Sequence, residues 1–376
     1  ELSEVGGGDH IAERTRARPT YRYCEFLHNE IKRGNIKTRT AKRRMNSIQN
    51  FYRWLAEDGH QFSHALWLEN EAVIKYKNSY GFMKNKHIQL TDLSQSFKVS
   101  RSTDDYSEYI DDGGKLRPLN EQEQTLLIQA LKNIGNIEML LAFLLSLTTG
   151  ARLQTVFTTR KENFSTPPNE TSPSLRLKIG SGTLINTKYQ KQMVLVIPKW
   201  LHKKLYIYLK SKRYISRATR SSHVYEDEGK QYAFLTKAGQ PYYMAQNDEF
   251  AQLYRNPPRG NAVTQFIRQQ LMPEITQLGN KFKLRFHDLR ATFGMNLLQQ
   301  QLQKYKLGGS AIENQPEFFK LLMYVKERMG HSHLKTTEAY LNYRQKYKLA
   351  INVQAEYEAY IESLTNTFFG ENNELD

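Results

Sequence analysis

The sequence predicts a mainly α-helical protein in two parts: an all-α N-terminal domain, then a larger α+β domain in which a small β-sheet interrupts the helices. Three observations lead there. At 376 residues the chain is too long for one ordinary core. Apolar residues recur at helical spacing toward both ends, and the middle holds two short β-rich runs bounded by turn-forming residues.

Residues 1–19 read as an N-terminal extension. A first helix is expected from Thr20 to a stop at Gly34, with Tyr23, Phe26, Leu27 and Ile31 on one face. A second runs from an N-cap at Thr38 to Gly59, with Met45, Ile48, Tyr52 and Leu55 as its apolar stripe. This domain is assigned 20–110. Between about Thr91 and Pro118 the pattern dissolves into polar residues and ends in Asp111-Asp112-Gly113-Gly114, the composition of a flexible linker reaching to about 118. The second domain, 115–376, opens at Asn120, an N-cap with Glu123 three residues on. Met139 to Leu147 reads as a buried central helix ending at Thr148-Thr149-Gly150. Leu175 to Ile179 and Met193 to Ile197, the latter closed by Pro198, read as a hairpin. Beyond Lys199 the pattern is again helical, apart from basic loops at Lys210 to Arg220 and Asn256 to Gly260. No internal repeat is detected.

Lys and Arg outnumber Asp and Glu by 54 to 38, a formal charge of +16. An excess of that size favours a polyanionic partner, because cations gain by displacing condensed counterions from phosphates. In the second helix Arg39, Lys42, Arg43, Arg44 and Arg53 lie opposite the apolar stripe, either as a solvated face or as a surface for the DNA backbone. Cys24 is the sole cysteine, so neither an intrachain disulfide nor a cysteine zinc knuckle can form, which fits a reducing compartment. No run approaches the roughly 18 apolar residues of a bilayer span, and no signal-peptide pattern is recognised. The expected location is therefore cytoplasmic, nucleoid-associated in a prokaryotic host.

Three local patterns carry chemistry, each weak alone. Thr149-Gly150-Ala151-Arg152 puts an arginine after a buried helix, at a glycine turn. His287-Asp288-Leu289-Arg290 puts His and Arg three apart, on one helical face. With 10 His and 54 Lys and Arg in the chain, roughly one such pair arises by composition. Met329-Gly330-His331-Ser332-His333-Leu334-Lys335-Thr336-Thr337-Glu338-Ala339-Tyr340 joins Gly-His, a Thr pair and a Tyr, a far rarer string. The ordered conjunction is what decides.

Arg, then His-x-x-Arg, then Gly-His and Tyr resembles the tyrosine recombinase family, which includes phage integrases. The resemblance covers roughly Lys115 to Leu364, opening at Leu116-Arg117-Pro118-Leu119. More weakly, it extends to the helical first hundred residues as a core-binding domain. It implies that Arg152 and Arg290 are the two catalytic arginines, His287 and His331 the two histidines, and Tyr340 the nucleophile. The family also uses a hairpin-loop lysine. Thr187-Lys188-Tyr189-Gln190-Lys191-Gln192 precedes the strand at Met193, and Lys188 is the choice, with Lys191 as the alternative. One departure is Thr155, where many members carry an acidic residue three after the first arginine. Another is surplus length within Gln300 to Lys320, expected as an extra helix for DNA or subunit contacts.

These residue types suit phosphodiester exchange. Two guanidiniums can clamp non-bridging oxygens and offset charge that grows in the transition state. A phenol with a pKa of about 10 needs a neighbouring base, for which His287 is placed, with His331 on the phosphate. Lys188 can protonate the leaving 5′ oxygen. The resemblance implies double-stranded DNA at specific recombination sites as partner and a homotetramer on two duplexes. It also implies integration or excision of a mobile element, with an accessory directionality factor. No metal, ATP or other cofactor is expected, and no membrane. Lys346 to Leu364 is read as a helix that docks on a neighbouring subunit or on its own domain. Two rivals stand beside this reading: a type IB topoisomerase-like enzyme, which shares the chemistry, and a non-catalytic DNA-binding protein.

Overall fold

Proline fixes φ near its helical value and lacks only an N–H that a first turn leaves unpaired, so Pro19 is a natural start for the first helix. In the computed structural model α1 spans Pro19–Lys32 and α2 spans Thr38–Glu57. The structure describes residues 11–77, 82–97, 109–304, 316–345 and 357–362, within two units, Glu1–Asp105 and Tyr106–Asp376.

In the first unit Cys24 and Leu27 of α1 and Ala41 and Met45 of α2 are buried with Ile11, Leu66, Trp67, Leu93 and Phe97. Ile48 and Tyr52 flank this core as their spacing predicts, but Phe26 is 39% exposed, because the buried face of α1 runs through Thr20, Cys24 and Leu27 instead. Lys37, not Thr38, takes the N-cap position of α2. The unit is not all helix. Strands β1 (Glu69–Lys77) and β2 (Met83–Thr91) pair antiparallel from Glu69↔Thr91 to Lys77↔Met83, followed by the short α3 (Asp92–Gln95). Their β-branched and aromatic residues are interleaved with Lys, Asn and Gln, which hides the alternation in the sequence. On α2, Arg39, Arg43 and Arg44 are exposed and Lys42 is half-buried. Arg53 lies 3.6 Å from Glu69 and over the Trp67 ring, so its charge is already engaged inside the unit.

The Asp-Asp-Gly-Gly stretch expected as linker is the turn of a tight hairpin, β3 (Ile110–Asp111) and β4 (Lys115–Leu116), with Ile110 and Leu116 buried. Helix α4 (Glu121–Ile134) carries the predicted capping box between Asn120 and Glu123. Helix α5 (Ile137–Thr149) is apolar nearly all round, and Met139, Leu141, Ala142, Phe143 and Leu145 put it at the centre of the main core. After the short α6 (Leu153–Phe157), strands β5 (Ser174–Ile179) and β6 (Met193–Pro198) form the predicted hairpin, with Leu177 opposite Leu195.

Helix α7 (Lys199–Leu209) leads into α8 (Lys212–Thr219), where the sequence reading expected a basic loop. Ser211 caps α8, and its Tyr214 and Arg217 are buried; the basic composition masked a short amphipathic helix. Helices α9 (Asn261–Phe266) and α10 (Met272–Gln277) are one rod joined by a π turn, where Pro273 lacks an N–H to donate. Helix α11 (Asp288–Lys304) and α12 (Pro316–Met329) precede a last described long helix, α13, at residues 334–345. In the surplus segment, 300–304 continue α11 and 316–320 begin α12; the rest lies outside the described residues. Of the helix expected from Lys346 to Leu364, residues 357–362 are described, as helix, and the rest lies outside the described residues. Among the described residues no helix is long and apolar enough to cross a membrane.

Residues 220–260 hold little regular structure, and a buried ion pair organises them. The Arg160 guanidinium lies 2.9 Å from the Asp248 carboxylate, and the hydroxyls of Tyr232 (2.6 Å) and Tyr225 (3.0 Å) donate to the same oxygen. Burial alone would push the Asp248 carboxyl up, but these partners hold it below its usual range. Removing one partner of a buried ion pair leaves the other charge stranded. Asp248→Asn is therefore expected to lose about 3 kcal/mol of stability, read as a lower urea midpoint at pH 7. Because the folded pKa is depressed, the deficit against wild type should be full above about pH 4 and shrink as pH falls through the folded value.

Candidate active site

A buried arginine must fill its donors, and Arg290 does so with backbone from separate elements. It sits in the first turn of α11, 2% exposed. Its Nη1 donates to the Gly150 carbonyl at 2.8 Å and its Nη2 to the Met329 carbonyl at 2.7 Å, which stitches α5 and α12 together. Its Nε is left to point at an anion. That anion is Asp112, from the tip of the β3–β4 hairpin, at 2.7 Å.

Three further groups converge on the same carboxylate. Arg152, at the N-cap position of α6, donates from Nη2 to Asp112 Oδ1 at 3.2 Å. His331 Nε2 lies 3.2 Å from Oδ2, while its Nδ1 lies 2.9 Å from the Thr337 hydroxyl. The Tyr340 hydroxyl, on α13, donates to Oδ2 at 3.1 Å. His287 is half-buried one turn before Arg290. Burial, then Arg152 and Arg290, lowers its pKa, so its ring is neutral near pH 7. Burial also lowers His331, although Asp112 opposes this. The Tyr340 phenol is pushed well above its usual value by burial and by the Asp112 charge, with Arg290 and Arg152 pulling the other way. Burial would raise Asp112, yet the His331 hydrogen bond and the two arginines hold it far below the ordinary carboxylate range.

The two hairpin-loop lysines both reach this region. Lys191 Nζ donates to the Gly330 carbonyl at 3.0 Å, beside His331, and burial together with Lys326, Arg152 and Arg290 lowers its pKa. Lys188 stands next to the other hairpin, its Nζ 2.9 Å from where a Cβ on Gly113 would sit. Between them Tyr189 and Gln190 adopt left-handed backbone, φ 60° and 55°.

Neighbouring residues set this geometry. Thr155, where an acid was the more usual expectation, is buried and donates to the Asn186 carbonyl at 2.9 Å, which ties α6 to the lysine loop. Asp288 of the His-x-x-Arg motif accepts from the backbone N–H groups of Arg117 and Arg285, anchoring the hairpin's exit to α11. Asp112 is the one residue of this cluster that nothing in the sequence singles out. An Asp in a Gly-Gly turn reads as linker, and nothing local marks it as buried.

Of the five residues expected at positions 152, 287, 290, 331 and 340, four meet on the Asp112 carboxylate in the second unit, and His287 lies within electrostatic reach of Arg152, Arg290 and Asp112. The arginines of α2 belong to the first unit. No family model matches the chain, and no curated protein matches it. Among solved structures it is similar to the Tn1549 transposon integrase in complex with transposon right end DNA, at 12% identity and TM-score 0.43, covering 92% of this chain and 88% of that one. A second complex of that integrase, with circular intermediate DNA, gives 12% identity and TM-score 0.37 over 85% of this chain and 80% of that one. The XerH site-specific recombinase bound to a palindromic difH substrate gives 18% identity and TM-score 0.36, covering 61% of this chain. The chain spans 50% of that recombinase.

Tyr340 owes its seat to a missing side chain. A Cβ on Gly294 of α11 would lie 2.5 Å from the Tyr340 ring. In an open helix Gly→Ala stabilises by about 1 kcal/mol; here overpacking should reverse the sign. Gly294→Ala is expected to lose about 1–3 kcal/mol, measured by chemical denaturation, and a gain in stability would contradict this seating of Tyr340.

Proposed function

We propose that this protein is a tyrosine recombinase that cuts and rejoins DNA strands at specific sites through a 3′-phosphotyrosine intermediate. One observation carries the reading: two guanidiniums, an imidazole and a phenol from four elements point at the two oxygens of a single buried anion. A phosphodiester presents two non-bridging oxygens to the same donors, and the phenol beside them is a nucleophile.

The step runs as an in-line displacement. With DNA bound, the Tyr340 oxygen attacks phosphorus while its proton passes to a neutral acceptor, for which His287 is suited by its lowered pKa. Arg152 and Arg290 offset the charge that accumulates on the non-bridging oxygens, and His331 holds one of them. The bond from phosphorus to the 5′ oxygen breaks, and a lysine supplies the proton that makes it a hydroxyl. The phosphotyrosine ester conserves the bond energy, so a 5′-hydroxyl from another duplex reverses the step without ATP. A metal is not needed to balance any of these transfers. Exchange between two duplexes calls for a homotetramer, with integration or excision of a mobile element as the biological setting and a directionality factor as accessory. Arg39, Lys42, Arg43 and Arg44 of α2 are assigned to the DNA backbone, and Arg53 is left out because its charge is engaged by Glu69 and the Trp67 ring.

The general acid remains a choice between Lys188 and Lys191. The lowered pKa of Lys191 favours proton donation near neutral pH, whereas Lys188 matches the family pattern.

Tyr340→Phe is expected to bind a target duplex as wild type does, yet to form no covalent adduct on a nicked suicide substrate; an adduct from that variant overturns the assignment. Arg290→Ala should lower the cleavage rate by at least about 100-fold. Replacing the 5′ bridging oxygen by sulfur removes the need for an acid. Cleavage of that substrate should therefore be restored in whichever of Lys188→Ala and Lys191→Ala has lost the proton donor, and restoration in neither rejects both lysines. Site-independent relaxation of supercoiled plasmid would favour the topoisomerase reading.

A further inference from the structure

The mechanism has no use for Asp112, although it occupies the middle of the site. Its carboxylate is 6% exposed and takes four donors: Arg152, Arg290, His331 and Tyr340. These are the groups that a scissile phosphate needs. A carboxylate and a phosphodiester each carry one negative charge and offer two oxygens, so both cannot fill the same donors at once. A second observation agrees. Gly113, the next residue, packs so close to Lys188 that a Cβ there would lie 2.9 Å from Nζ. The hairpin tip thus covers the phosphate position and one candidate proton donor together.

The hairpin is built to leave. Its ladder holds two residue pairs, Ile110↔Leu116 and Asp111↔Lys115, far short of a hairpin that is stable alone. Its turn is Asp112-Gly113-Gly114, with φ 72° and 157° at the two glycines, where the backbone can re-aim without a Cβ penalty. Ile110 and Leu116 anchor its base in the same apolar cluster as Tyr340, so the base can stay while the tip swings.

We propose that Asp112 is an internal mimic of the scissile phosphate: in the free protein it fills the oxyanion site and keeps the arginines in place, and DNA must displace it before cleavage. The inference rests on the phosphodiester reading above. It makes the free enzyme self-inhibited, and it lowers apparent affinity by the fraction of molecules with the tip withdrawn.

The test uses the full chain with Asp112→Ala, and with Asp112→Asn to keep the side-chain shape. In the first arm, inorganic phosphate is titrated while thermal unfolding is followed. Phosphate should raise the Tm of both variants saturably and leave wild type unmoved, and Arg290→Ala should abolish the effect in the Asp112→Ala background. Equal response of wild type and variants, or response of none, overturns the proposal. In the second arm, covalent adduct on a nicked duplex is followed against DNA concentration. Both variants should reach half-maximal adduct at about tenfold lower DNA than wild type. Slower cleavage at unchanged DNA affinity would make Asp112 a positioning residue and overturn the plug. If wild type and variants alike form no adduct, the cleavage reading fails, while the phosphate arm still decides whether Asp112 fills an oxyanion site.

Discussion

Like charges held close in a poorly solvated pocket repel strongly, and this site sets two guanidiniums, Arg152 and Arg290, side by side. Such a cluster is stable only around an anion. In the free protein the anion is the Asp112 carboxylate, and the rest of the second unit is arranged about that requirement. Arg290 is oriented by two carbonyls from different helices, so its Nε direction is set before any ligand arrives. Preorganisation of this kind is what lets fixed donors stabilise developing charge without reorganising during reaction.

The packing serves the same end. Gly150 takes φ 70° at the end of α5, and a Cβ there would meet the Phe293 ring at 2.6 Å, so the turn that presents Arg152 lies tight against α11. Tyr340 is fully buried in an apolar cluster built from α11, α12 and the β3–β4 hairpin. Tyr340 and the base of the β3–β4 hairpin, Ile110 and Leu116, therefore share one small core, and a shift in either is felt by the other. A buried neutral phenol is also a quiet one: its raised pKa keeps it protonated.

Much of this was legible in the sequence, for identifiable reasons. The capping box at Asn120 and the apolar α5 are local signals whose energetics do not depend on distant residues. So are the β-branched runs that pair as β5 and β6. The Arg152, His287, Arg290, His331 and Tyr340 set stands out in the sequence because its residue types and order are unusual together. What stayed hidden depends on tertiary contacts. Asp112 sits in a turn with linker composition, and its burial comes from arginines 40 and 178 residues away in sequence. The β1–β2 hairpin was obscured by its polar interleaving, and α8 by its basic residues, since propensity yields to context in such short segments. The ion pair that orders 220–260 joins residues 88 apart, beyond any periodicity.

The proposed chemistry turns on one phenol that takes the phosphorus. The most direct measurement is mass spectrometry of the peptide left on DNA after the covalent complex is trapped and digested. A phosphodiester link from Tyr340 to a 3′ end, with a free 5′-hydroxyl on the other strand piece, is the expected result. Linkage to another residue, or to a 5′ phosphate, would contradict it.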